Sequence, residues 1–155
     1  METALFKTGF LVTDLEGAMR DFGRWLSVSW TPVQQSKLVL AVGADREEVE
    51  LRFAYSTGSP PYLELLEAQP RGYYEAKQGP HLHHVGRWVD DLAAASRALA
   101  AAGLPLEAAG VDANGRSPAI FVFHRGAHGL RIELVDRAMQ PGFEGWLAGG
   151  ELVLP

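Results

Sequence analysis

The chain has 155 residues, 47% hydrophobic and 21% charged, which bounds it to one ordinary domain or two very small ones and excludes a disordered chain. A net charge of −5, a pI near 5.5 and no run of Lys or Arg exclude a nucleic-acid surface. The absence of cysteine excludes disulfides, thiolate metal sites and a cysteine nucleophile, and no apolar run reaches the length of a bilayer span; residues 1–7 also lack the basic start and apolar middle of a signal peptide, so a cytoplasmic protein is expected.

Residues 6–13 alternate and are rich in apolar side chains, which predicts a strand. Leu15, Ala18, Met19, Phe22 and Leu26 recur at helical spacing, so an amphipathic helix is expected over 15–27, with Asp14 placed to cap it. Trp30-Thr31-Pro32 breaks the pattern. Strands are expected at 37–42, 47–55 and 62–68, joined by a turn at 44–46 and a Gly/Pro-rich loop at 56–61. Residues 69–80 read as a polar connection with a short helix over 73–77.

Residues 82–90 form a strand that runs straight into a helix. Val85, Trp88 and Val89 favour the strand, Asp90 or Asp91 caps the helix, and 92–99 is nearly all strong helix former. Alternation places His84, Gly86 and Trp88 on one face of the strand and His83, Val85, Arg87 and Val89 on the other. Gly103-Leu104-Pro105 stops the helix. Further strands are expected at 106–111, 118–124 and 130–136, with a turn at 112–115 and a hairpin loop at 125–129. The tail, 139–155, carries Phe143, Trp146 and Leu147, too much apolar surface to leave in water.

Shifting the chain by 77 positions carries Lys7 onto His84. Gly9 then falls on Gly86, Val12 on Val89, Asp14 on Asp91 and Leu15 on Leu92. Each half ends in a strand of the same shape, Glu64-Leu65-Leu66-Glu67 and Glu133-Leu134-Val135-Asp136. The expected architecture is α+β: two βαβββ modules, 1–69 and 82–137, with a linker at 70–81 and a C-terminal tail at 138–155. A helix covers one face of each small sheet, so cupped mixed sheets side by side would enclose a cleft.

The doubled order, Val12-Thr13-Asp14-Leu15 with Val89-Asp90-Asp91-Leu92, and a Glu in each last strand resemble the vicinal-oxygen-chelate superfamily of glyoxalases, epimerases, extradiol dioxygenases and bleomycin-resistance proteins. Residues 60–92 look most like the glyoxalase-like and methylmalonyl-CoA epimerase branch. The resemblance implies a glyoxalase-like fold and a site where His, Glu or Gln, His and Glu surround a divalent metal. Those positions are Lys7, Glu64, His84 and Glu133 here, and the first departs from the pattern. Imidazole and two carboxylates suit Zn, Ni, Co, Mn or Fe. A protonated Lys7 would instead repel the ion and pair with both glutamates, replacing the metal charge.

The resemblance implies a metal-assisted isomerase, epimerase or lyase on an oxygenated, partly apolar metabolite. The metal would be held by Glu64, His84 and Glu133, and the proton moved by a glutamate or His124; in a metal-free variant Lys7 would be the electrophile or proton donor. The alternative is a metal-free binding or sequestration protein of the bleomycin-resistance type. A dioxygenase is disfavoured, because the family's iron form uses two histidines. His124 reaches the cleft if the last hairpin pairs 122 with 133 and leaves it on a one-residue slip. Trp88 and Tyr62 are candidate pocket walls. Arg131 either meets an anionic substrate or pairs with a neighbouring carboxylate. No nucleotide-binding fingerprint is present, so no nucleotide cofactor is expected. Partners reduce to a small-molecule ligand, with a homodimer as the family's habit and no nucleic acid or membrane.

Overall fold

Asp14 and Asp91 start the two long helices in the same way. Each lies in extended backbone, φ −132° with ψ 94° and φ −132° with ψ 97°. Each carboxylate accepts from the amide three residues on, Gly17 at 3.0 Å and Ala94 at 2.9 Å. The helices are α1 (Leu15–Leu26) and α2 (Leu92–Ala101). The computed structural model describes residues 5–153. Around the helices run β1 (Leu5–Val12), β2 (Gln34–Val42), β3 (Asp45–Tyr55) and β4 (Tyr62–Glu67) in the first half. The second half holds β5 (His81–Val89), β6 (Leu106–Val111), β7 (Phe121–Arg125) and β8 (Arg131–Asp136). A 3-10 turn, Arg137–Met139, leads into α3 (Gln140–Leu147). Among the described residues no helix is long and apolar enough to cross a membrane.

The fold is α+β, and its eight strands close into one barrel in the order β1-β4-β3-β2-β6-β7-β8-β5. The parallel pair β1–β4 in one half has its counterpart in β5–β8 in the other. Two antiparallel seams, β1–β5 and β2–β6, join the halves within one chain. The two cupped sheets therefore share both edges, and the expected cleft is the barrel interior.

The apolar side chains gather in three clusters. Helix α1 covers the outside of β1 and β4 through Leu15, Val12 and Leu65, with Phe10 and Phe22 beside them. Helix α2 covers the second half through Leu92, Val89, Val122 and Leu134. The barrel interior holds Phe6, Leu40, Phe53, Tyr55, Leu66 and Trp88, and the tail helix α3 brings Trp146 and Phe143 onto it.

Two local expectations are corrected. The turn expected at 44–46 is the tighter pair Gly43-Ala44, because Val42 already faces Asp45 and Gly43 takes the left-handed φ of 59°. The helix expected over 73–77 is absent. Tyr73 N–H donates to Glu47 and its hydroxyl to Glu107 at 2.6 Å, while Tyr74 is buried against His83. These tertiary bonds outweigh the local helical preference of a five-residue segment.

Candidate functional site

The site is shaped by two irregularities in the β1–β5 seam. Gly9 pairs with His84 but Phe10 with Leu82, so His83 and His84 together oppose one residue. At the other end Lys7 pairs with Gly86 and Leu5 with Arg87, so Phe6 is the extra residue on β1. Each bulge buries two consecutive side chains that strict alternation would send apart. Phe6 and Lys7 both line the interior, and His83 lies against His84 instead of on the opposite face.

The two seam glycines make room for what the bulges deliver. A Cβ on Gly9 would stand 2.4 Å from Cε1 of His84. A Cβ on Gly86 would stand 2.7 Å from Cγ of Lys7. Gly9 and Gly86 are equivalent under the 77-residue shift, as are Lys7 and His84. Each half thus supplies the gap for the other half's side chain.

Lys7, Glu64, His84 and Glu133 meet in a ring of alternating charge. Lys7 Nζ lies 2.5 Å from Glu133 Oε2 and 3.2 Å from Glu64 Oε2. His84 Nε2 lies 3.1 Å from the same Glu64 oxygen and 3.2 Å from the same Glu133 oxygen. None of the four residues is more than 6% exposed. Lys7 Nζ also donates to the Tyr55 hydroxyl at 3.0 Å.

Burial opposes every charge in this ring, and the neighbours overrule it. Burial would lower the Lys7 pKa, but Glu133 and then Glu64 hold it well above its ordinary value. Burial would lower His84 as well, and Glu133 again outweighs it, so His84 is raised. Burial would raise both glutamates, yet the Lys7 ammonium, with His84 behind it, holds Glu64 and Glu133 below the usual carboxylate range. The result is two cations and two anions, a neutral cluster. His83 is pushed down to about 2 by burial and by the charge of His84, so it is neutral. Its Nδ1 lies 3.0 Å from Nδ1 of His84, so one ring donates to the other.

Other candidates fall elsewhere. The last hairpin pairs Phe123, not Val122, with Glu133. That one-residue difference turns His124 out of the barrel, where its ring meets Ser96 Oγ at 2.8 Å and the Leu104 carbonyl at 2.7 Å beneath α2. Arg131 is occupied by Glu107 at 2.7 Å, by the His83 carbonyl at 3.0 Å and by the Tyr73 ring, and it does not line the cavity. Tyr62 packs against Phe143 and is likewise not a wall of the cavity. Trp88 is, stacked on Phe6 with centroids 3.9 Å apart. The sequence placed His83 on the face opposite His84 and expected Phe143 and Trp146 only to be buried, and nothing in it set Tyr55 against Lys7. The Gly9–Gly86 match in the repeat was a signal whose meaning needed the fold.

The charged ring forms one wall of a cavity of about 270 Å³ whose other walls are mostly apolar, among them Phe53, Trp88, Phe121, Phe143 and Trp146. Ligand atoms of Glu64, His84 and Glu133 lie within 4.8 Å of one another, a donor set that by itself suits a divalent ion. Lys7 changes that. Its ammonium contacts one oxygen of each carboxylate in that set. A doubly charged ion about 4 Å from it would be repelled by roughly 8 kcal/mol even at an effective dielectric of 20. With Lys7 in place, the residues do not fit a metal.

Residues 6–123 match the family model described as Glyoxalase/Bleomycin resistance protein/Dioxygenase superfamily. Among solved structures, methylmalonyl-CoA epimerase from Mycobacterium tuberculosis is similar at 22% identity and a TM-score of 0.55, over 85% of this chain and 86% of that one. A methylmalonyl-CoA epimerase in complex with methylmalonyl-CoA and NH4+ is similar at 15% identity and a TM-score of 0.60, over 88% and 95%. A triple mutant of 4-hydroxymandelate synthase from Streptomyces coelicolor is similar at 14% identity and a TM-score of 0.59, over 86% of this chain and 48% of that one. No curated protein matches by sequence. At these identities the structural likeness speaks to the fold alone.

Proposed function

The chain belongs to the Glyoxalase/Bleomycin resistance protein/Dioxygenase superfamily, and from that premise we propose that it is a metal-independent isomerase or epimerase, moving a proton beside the carbonyl of a small, partly apolar molecule. The observation that carries the reading is the position of Lys7 Nζ between Glu64 and Glu133, with His84 on the same two oxygens. Of the two roles open to Lys7, this takes replacement of the metal charge. A metal in such a site would hold and polarise the substrate oxygen. An ammonium and an imidazolium supply the same charge as two hydrogen-bond donors. One protein of this fold, an epimerase, forms a complex with its CoA substrate and NH4+; Lys7 carries an ammonium covalently.

At rest both carboxylates are weak bases, because each is paired with two cations. A carbonyl oxygen that accepts from Lys7 Nζ and His84 Nε2 draws those donors away from one glutamate. Burial then raises that carboxylate, since the pairing that offset burial is gone. It takes the proton from the carbon beside the carbonyl. The C–H electron pair becomes the enolate π bond, and the negative charge on oxygen falls against Lys7 and His84. The glutamate that took the proton returns it to the enolate, at another carbon for an isomerase or on the opposite face once the enolate has turned for an epimerase, and both carboxylates end ionised as they began. Tyr55 keeps hold of Lys7 throughout.

A second reading, metal-free sequestration, is favoured by one observation: each resting carboxylate is paired with both Lys7 and His84, which leaves it a weak base. Deuterium exchange into a bound carbonyl compound separates the two, because sequestration produces none. The metal question has its own test. Protein purified without chelator or metal-affinity tag should carry substoichiometric metal, and Lys7→His should take up one equivalent of Zn2+ or Ni2+ by calorimetry. One equivalent of metal in the unsubstituted protein would overturn the metal-independent reading.

A further inference from the structure

We infer that the substrate is an uncharged, compact carbonyl compound built on one or two rings, and that neither a coenzyme A thioester nor a carboxylate is taken. This rests on the proton-transfer reading of the same site and names its substrate class. Enclosure, charge balance, wall chemistry and the character of the opening support it.

The cavity is walled by the barrel and roofed in part, and it opens at one mouth lined by the exposed Lys37 and Val153. Both seams are zipped, and α3 lies on the interior cluster as a roof. The Phe143 ring packs 5.0 Å from Tyr55 and 5.6 Å from both Phe6 and Trp88, and Trp146 packs 5.6 Å from Tyr55. This roof lies beyond residues 6–123, the part that matches the family model. A cavity of about 270 Å³ has room to enclose a small ring system, and not a whole nucleotide-bearing ligand.

The cavity is also balanced in charge. Two cations and two anions already cancel at its polar wall, so an anionic ligand would bring an unpaired charge into a buried site. A neutral carbonyl brings only acceptors. The remaining walls are apolar and largely aromatic, which suits a flat hydrocarbon ring.

The opening offers phosphates no cluster of cations among its described lining residues. Among the lining residues the exposed ones are Lys37 and Val153, and Asp112 lies with them at half burial. Lys37 is the one exposed cation among the described lining residues and Asp112 is held by Arg116 of its own turn, whereas a diphosphate and a further phosphate call for clustered Arg or Lys.

The experiment uses the whole protein and three probes: 2-tetralone (neutral), 2-naphthoate (an anion of similar size) and propionyl-CoA. Binding is read from tryptophan fluorescence, and exchange of the ketone's C1 protons from proton NMR in D2O. We expect saturable binding of 2-tetralone, at least about tenfold tighter than either other probe. Exchange should be faster than in Glu133→Gln. No saturable binding of 2-tetralone, or equal or tighter binding of 2-naphthoate or propionyl-CoA, overturns the inference. The two readings can fail separately. Tight 2-tetralone binding without exchange keeps the ligand class and removes proton transfer. Propionyl-CoA that binds tightly and exchanges its α-protons keeps proton transfer and removes the ligand class.

Discussion

Removing the Lys7 ammonium would leave Glu64 and Glu133, both buried, facing the single positive charge of His84. Stripping one partner from a buried ionic group costs about 3–5 kcal/mol, mostly because the remaining charge stays unpaired in a dry site. Lys7→Met should therefore lower unfolding free energy by about that amount in urea melts. Adding Glu133→Gln restores the balance, Glu64 against His84, so the double variant should be more stable than the sum of the two single losses predicts. Simple additivity would show that the four groups do not act as one ionic cluster. Three of the four matched the pattern that the family resemblance implied, with Glu64 and Glu133 in equivalent last strands and His84 at the start of a strand–helix run. Lys7 came with them only through its equivalence to His84. Tyr55 was not legible: on an alternating strand, nothing separates a tyrosine that meets an ammonium from one that fills a core.

At the level of elements, what the sequence made plain was local. Asp14 and Asp91 cap their helices as their spacing implied, and the repeated strand–helix punctuation is seen in matching backbone angles. What it hid belongs to pairs of strands. A bulge is a mismatch between two ladders, so neither Phe6-Lys7 nor His83-His84 announces it alone. The same holds for His124, whose face is set by a one-residue choice of register in the last hairpin. The seam also explains why small residues stand at 9 and 86. Gly9→Ala should push the His84 ring, which Glu64, Glu133 and His83 hold in place, and destabilise by about 1–3 kcal/mol. Gly142→Ala is the control: on α3 its Cβ meets nothing within 4 Å, so stability should rise by up to about 1 kcal/mol from helix propensity. Equal melting temperatures for the two variants would mean that His84 yields freely.

For the molecule as a whole, the decisive feature is that neither half has a finished edge. Without the other half, β1 would lose the seam from Leu5–Arg87 to Leu11–His81, and β2 the seam from Val39–Val111 to Val42–Ala108. The exposed ladders and the apolar inner face would both be left in water. The charges argue the same way. Lys7 and Glu64 sit in one half and His84 and Glu133 in the other, yet the contacts Lys7–Glu133 and His84–Glu64 cross between them. A half of about 80 residues buries only a little over 60% of its unfolded surface and is marginal even when its edges are covered. Residues 1–80 and 81–155, made as separate chains and divided just before β5, should each lack a cooperative melt. Mixed, they should give a one-to-one complex that melts cooperatively and regains the sheet signal in circular dichroism. A cooperative melt for either half alone, at a temperature near that of the whole chain, would mean that each module is self-sufficient. Closure of the barrel would then shape the cavity without being what stabilises the fold.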